Sequence, residues 1–330
     1  MADNLDFHAG DSYSAANPPG TFPLIASTLP GSDGTPLHLL QWKTGSTPRA
    51  VVQVAHGMSE HAGRYDGLAQ ALNEAGYAVY ANDHRGHGQT VTMPEDLGYP
   101  GDNAGWRTLV DDLGIVQRRI AADYPGVPIV LLGHSMGAFL AQQFAGEQGT
   151  LAGLVLSGTY RESPLLARGG ALLARLERLR LGRRGRSALI NALTFGAFNR
   201  RFAPTCTAFD WLSRDEAEID LYIADPRCGF RPSVQLWIEV LDALAVGLPT
   251  PQARLPVCVM VGERDPVCGA DPAGLKLMAS FIDAGVDRLS QCIYPDARHE
   301  LFHETNRDEV VSDLISWLDQ IGFRDQSCSW

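Results

Sequence analysis

Short runs rich in Val, Ile and Leu recur along this chain without polar alternation, and helix-like stretches separate them. The clearest runs are Ala50–Ala55, Ala78–Ala81, Pro128–Gly133, Leu151–Ser157, Pro256–Val261 and Ser290–Tyr294. A strand that is apolar at successive positions has to be buried on both faces, so helices must cover both sides of a mostly parallel sheet. Gly67–Ala75, Trp106–Tyr124, Met136–Gln148, Pro272–Ala284 and Arg307–Ile321 supply those helices. Two earlier runs, Phe22–Thr28 and Leu37–Thr44, flank the turn-like Gly31-Ser32-Asp33-Gly34 and read as a hairpin. Eight strands are therefore expected, the first two antiparallel.

One interval breaks the rhythm. From about Tyr160 to Val246 there are helical patterns and loops but no buried strand. An insertion of this size after the sixth strand is expected to form a helical cap at the carboxyl edge of the sheet, where doubly wound folds bind ligands. The expected organisation is a flexible tail over residues 1–20, a core from 21–159 and 247–330, and a cap or lid over 160–246.

The net charge of −11 argues against nucleic acid as a partner, because phosphate binding needs a basic surface. Cys206, Cys228, Cys258, Cys268, Cys292 and Cys328 stand far apart, as free thiols of a reducing compartment do. The acidic N-terminus lacks the plan of a secretory signal, and no apolar run reaches membrane-spanning length. A cytoplasmic protein is expected, and its oligomeric state is left open.

Gly133-His134-Ser135-Met136-Gly137 fits G-x-S-x-G between a strand, Pro128–Leu132, and a helix. Such a tight turn needs small flanking residues and exposes the serine hydroxyl, which makes Ser135 a candidate nucleophile. A serine on this kind of turn is followed in the chain by its acid and then its histidine. His299 and His303 are the only histidines after Ser135, and His299 lies just past the last strand. Asp265 ends the run Val257–Asp265, just past a buried strand and before Pro266, and is the better acid by position, with Glu263 and Glu162 behind it. An oxyanion needs two backbone donors. Met136 offers one, and His56-Gly57-Met58, directly after Val51–Ala55, offers the other through Met58.

His299-Glu300-Leu301-Phe302-His303 also matches H-E-x-x-H, which on a helix presents two histidines to zinc. The match starts in a loop and lacks a third histidine, so neither a metal nor another cofactor is expected. A metalloprotease, and an idle hydrolase-like binding protein, stand as alternatives from other classes.

The stretch His56-Gly57-Met58-Ser59-Glu60-His61-Ala62-Gly63-Arg64-Tyr65 resembles the HGxxEHxGRY signature of monoacylglycerol lipases and related lysophospholipases, serine hydrolases of the α/β-hydrolase fold. Asn82–Gly88, Gly133–Gly137 and Tyr294–Glu300 match further blocks of that group, and the likeness spans roughly Thr21 to Ile321. It implies catalysis by Ser135, Asp265 and His299 with Met58 and Met136 at the oxyanion hole. It also implies Glu60 and Arg64 near the polar end of the pocket, Cys268 at the pocket lining, and a single-chain lipid ester as substrate. Lysophospholipase or broad carboxylesterase activity is the near alternative. The cap stretches Phe209–Asp215 and Asp225–Phe230 resemble the bacterial branch.

Between Arg161 and Arg201 ten arginines face two glutamates. Leu165, Leu172, Leu176 and Leu179 recur there at helical spacing, although Gly169 and Gly170 weaken a continuous helix. A basic amphipathic helix can rest on an anionic lipid surface, so transient membrane contact through the cap is one expectation. Leucines packed on the core beneath solvated arginines are the other.

Overall fold

A computed structural model describes residues 22–322 apart from 103–104, 148–149 and 269–273. Residues 1–20, expected to be a tail, lie outside the described residues, as does Cys328. The eight strands are β1 (Leu24–Pro30), β2 (Pro36–Trp42), β3 (Val51–Ala55), β4 (Ala78–Asn82), β5 (Ile129–His134), β6 (Gly153–Ser157), β7 (Val257–Gly262) and β8 (Leu289–Tyr294). They form one sheet in the order β1-β2-β4-β3-β5-β6-β7-β8. All pairs from β4 onwards are parallel. The antiparallel part extends one pair further than the hairpin, because β2 also runs antiparallel to β4.

The missing alternation in the sequence has a direct cause. Side chains alternate across a strand, and here both faces are covered. Leu154, Leu156, Val257, Val259 and Val261 enter one apolar cluster, and Val155, Cys258 and Met260 enter the other. The first cluster packs under α2 (Gly105–Asp123), α3 (Met136–Glu147) and α9 (Leu275–Asp283). The second packs under α1 (Asp66–Glu74) and α10 (Arg307–Gln320). The five cysteines within the described residues are free thiols.

Between β6 and β7 lie α4 (Pro164–Leu181), α5 (Ala188–Leu193), α6 (Phe195–Arg200), α7 (Glu216–Ala224) and α8 (Val234–Val246). Gly169 and Gly170 do not break α4. A Cβ on Gly170 would lie 3.2 Å from the Leu241 side chain, so this glycine lets α8 come close. Leu165, Leu172, Leu176 and Leu179 of α4 do not pack on the core. The helix buries Ala167, Ala171 and Ala174, while Leu165, Leu172, Leu176 and Leu179 are 55–83% exposed. Small residues face α8 because they permit close helix packing, and the larger apolar side chains are left outside. Among the described residues, no helix is long and apolar enough to cross a membrane.

Candidate active site

Three turns at the carboxyl edge of the sheet, after β3, β5 and β8, meet residues of the β6–β7 insertion around one small cavity of ≈ 30 Å³. Gly57, Met58, Glu60, His134, Ser135, Trp211, Phe230, His299 and Glu300 are among the residues lining it.

Ser135 sits between β5 and α3 with φ +53°, a left-handed backbone conformation that L-residues other than glycine rarely adopt. The flanking glycines make this turn possible. A Cβ on Gly133 would lie 2.3 Å from the Gly137 carbonyl oxygen, and one on Gly137 would lie 2.0 Å from that of Ala55. Ser135 is half-buried at the cavity wall. Met136 begins α3, so its N–H is among those that a helix leaves without an internal acceptor. The loop after β3 lies directly opposite: a Cβ on Gly57 would approach the Ser135 Cβ to 3.3 Å, and Met58 follows it on the cavity wall.

Asp265 and His299 come from the loops after β7 and β8. Those loops touch at Gly262, where a Cβ would lie 2.1 Å from the Arg298 carbonyl oxygen. His299 Nδ1 is 2.8 Å from Asp265 Oδ2, and both residues are buried. Burial alone would push the imidazole down, but the Asp265 charge and hydrogen bond outweigh it, and the His299 pKa rises above its ordinary value. Its neighbour His134 lies 4.7 Å away, ring to ring, and is pushed down to about 4 by burial and by His299. His134 is therefore neutral at pH 7. Of the other acids considered, Glu263 is exposed, and Glu162 accepts hydrogen bonds from Tyr160 and Ser163.

Glu60 and Arg64 belong to a buried ion network. Arg64 donates to Glu60 at 2.8 Å and, through both terminal nitrogens, to Glu300 at 2.7 Å. Glu60 also accepts from the Gly57 N–H and the Tyr65 hydroxyl. Burial raises the pKa of both carboxyls, but Arg64 lies beside them and brings the net shift down. Glu60 thus lines the cavity with its oxygens turned to partners, while Arg64 faces two neighbouring grooves instead. Cys268 is buried in the core cluster with its Sγ 3.6 Å from the Thr159 carbonyl oxygen.

The two histidines of the H-E-x-x-H run hold different partners. Leu301–His303 form a single 3₁₀ turn, His299 is paired with Asp265, and His303 Nε2 is 2.9 Å from the Arg64 carbonyl oxygen. A second group, His61, Asp225 and Cys228, brings its polar atoms within 4.8 Å of one another. There His61 Nδ1 accepts from the Gly63 N–H, which leaves the proton on Nε2, 2.9 Å from Asp225. Burial pushes the Cys228 thiol up. This arrangement suits a hydrogen-bonded clasp between the β3 loop and the segment after α7 better than a metal, which needs a lone pair on Nε2 and a thiolate.

Sequence reasoning overlooked Trp211 as a site residue. Its indole stacks on His299 with ring centroids 5.1 Å apart and an interplanar angle of 29°. The stretch Phe209–Asp215 was conspicuous in sequence, yet nothing there announces contact with a histidine some ninety residues later.

An eight-stranded, mostly parallel sheet with a strained serine on its central strand-to-helix turn defines an α/β-hydrolase. The chain belongs to the Hydrolase_4 family, described as serine aminopeptidase, S33, whose profile matches residues 46–306. It is 32% identical over 301 residues to a monoglyceride lipase of Mus musculus, covering 88% of this chain and 89% of that protein. Identity to a monoacylglycerol lipase of Mycolicibacterium smegmatis is 30% over 285 residues, covering 84% and 90%. A carboxyl esterase from Bacillus coagulans, solved in complex with glycerol, superposes with TM-score 0.81 at 26% identity, covering 91% of this chain and 99% of that one.

Proposed function

We propose that this protein is a serine carboxylic-ester hydrolase that cleaves single-chain lipid esters, with monoacylglycerol the first substrate to test. The observation that carries this is the strained Ser135 sharing one cavity with His299, whose other nitrogen is held by Asp265. Neutral His299 takes the Ser135 proton as the hydroxyl attacks the ester carbonyl. The N–H groups of Met58 and Met136 receive the oxyanion. His299 then protonates the leaving alcohol and activates water for deacylation, with Asp265 fixing its tautomer and stabilising its charged form. Glu60 and Arg64 act through the loop: the Gly57 N–H is held by Glu60, so the network sets where Met58 lies. The monoglyceride lipases of similar sequence support the substrate class. The likeness to a carboxyl esterase keeps broad esterase activity as the second reading.

Residues 160–246 are assigned as the cap, and 21–159 with 247–330 as the core. A cavity of ≈ 30 Å³ falls well below the roughly 300–1,000 Å³ of ordinary ligand pockets, so an acyl chain requires the cap to open. The outward leucines of α4 beside Arg168, Arg175 and Arg180 form the surface expected to rest on lipid, which makes the protein peripheral to membranes. The central experiment is labelling by a fluorophosphonate probe. Adduct formation at Ser135, indifferent to chelator, with hydrolysis of monoacylglycerol is the expected result; absence of labelling overturns it. Co-sedimentation with anionic vesicles that is unchanged by Arg175→Glu with Arg180→Glu removes the membrane contact.

A further inference from the structure

The polar groups of the cavity wall are mostly committed. Glu60 is bonded to Gly57, Tyr65 and Arg64, Ser59 donates from its hydroxyl to the Phe230 carbonyl, and the Tyr222 hydroxyl donates to the Ser59 carbonyl. Trp211 differs. Its indole is 6% exposed and lines the cavity, and its Nε1–H has no acceptor among the described residues. An indole nitrogen can only donate, and a buried tryptophan N–H ordinarily finds a partner. An orphaned donor on a ring that walls a catalytic cavity points to a ligand oxygen as its partner.

The position of the ring narrows what that oxygen is. Trp211 stacks on His299, the group that delivers a proton to the leaving alcohol, so the indole borders the space the alcohol portion must occupy. The ring is also firmly held. Its backbone N–H donates to Asn199 Oδ1 at 3.0 Å, and the ring stacks on Phe195 at 5.6 Å. The following residues are fastened to the loop that carries His299: the Leu212 carbonyl accepts from the Glu300 N–H, the Ser213 hydroxyl donates to the His303 carbonyl, and Arg214 pairs with Glu304. The donor is thus preorganised relative to the general base.

We propose that the Trp211 indole N–H recognises a hydroxyl on the alcohol portion of the substrate, giving the site a preference for polyol esters over alkyl esters of the same acid. This rests on the ester-hydrolase reading above and assigns its head-group specificity. A site with a buried donor discriminates against a substrate that leaves the donor unpaired.

The experiment compares kcat/KM for glyceryl, 3-hydroxypropyl and propyl esters of one fatty acid. The wild-type protein is expected to favour the glyceryl ester over the propyl ester by about tenfold, the factor one neutral hydrogen bond confers. Trp211→Phe keeps an aromatic ring but loses the N–H, and should collapse that ratio towards one. Trp211→His retains a ring N–H and should restore part of it. An unchanged ratio in Trp211→Phe overturns the proposal, even if both rates fall together, because that pattern reports packing on His299 alone. If the variants do not fold, a wild-type preference below about twofold across the three esters overturns it as well. Fluorophosphonate labelling of Ser135 separates the two failures: an unlabelled wild-type protein that cleaves none of the esters sinks the hydrolase reading itself.

Discussion

Replacing Arg64 with leucine tests whether a buried ion network holds the loop after β3, proposed above to carry the oxyanion donor Met58. The Arg64 side chain is 9% exposed, Glu60 2% and Glu300 5%, and three hydrogen bonds of 2.7–2.8 Å join them. Removing one partner of a buried pair leaves an uncompensated charge and costs about 3–5 kcal/mol. Two carboxylates are stranded here, but Gly57 and Tyr65 still solvate Glu60, so that range is taken once rather than twice. In a chain of this size the midpoint should fall by about 4–7 °C. The pH dependence carries the sign. In the wild type both glutamates lie below their ordinary values, so their stabilisation is present above an unfolded pKa of about 4.3 and is lost as pH falls through the lower folded value. In Arg64→Leu the strongest opposition to burial is gone, leaving only the weaker partners such as the Gly57 N–H, and the folded pKa values are expected to rise above the unfolded one. The stability deficit is then widest near neutrality and narrows as acid neutralises the carboxyls. Thermal melts of both proteins from about pH 8 down to about pH 4.5 measure this directly. A deficit under about 1 kcal/mol, or one that ignores pH, refutes the reasoning.

Two further outcomes follow from the site. Asp265→Asn should lower kcat by about 10⁴-fold, and the residual acid limb of kcat/KM should move to lower pH, because Asp265 is what raises His299 against its burial; a limb that stays in place argues that another group titrates. Ser135→Gly should be about 1 kcal/mol more stable than Ser135→Ala in urea unfolding, with both variants inactive, because φ +53° suits glycine far better than alanine; equal stabilities would show that the turn stores no strain.

The sheet was legible because burial on both faces writes itself into unbroken apolar runs, and chain order with strand ends singled out Asp265 and His299. The direction of α4 was not legible. Its leucines and alanines alternate at helical spacing on both faces, and only the nearness of α8, through Gly170, decides that the alanines go inward. The resemblance put Glu60 and Arg64 near the polar end of the pocket; Glu60 does line the cavity, whereas Arg64 reaches Glu300, a partner 236 residues away that no local pattern could reveal. Trp211 escaped for the same reason, since its partner is set by tertiary packing. Cys268 was placed at the pocket by analogy and lies packed in the apolar core.

The fastening of residues 211–214 to the loop of His299 also bears on how such proteins can be recombined. A graft that exchanges residues 160–246 for the equivalent stretch of a relative would carry away the Ser213 and Arg214 side chains that meet His303 and Glu304. The recipient would keep its serine and aspartate but hold its histidine loop with mismatched contacts. Chimaeras should therefore regain turnover when residues 298–307 travel with the grafted stretch, which makes the two segments one unit of inheritance despite their separation in the chain.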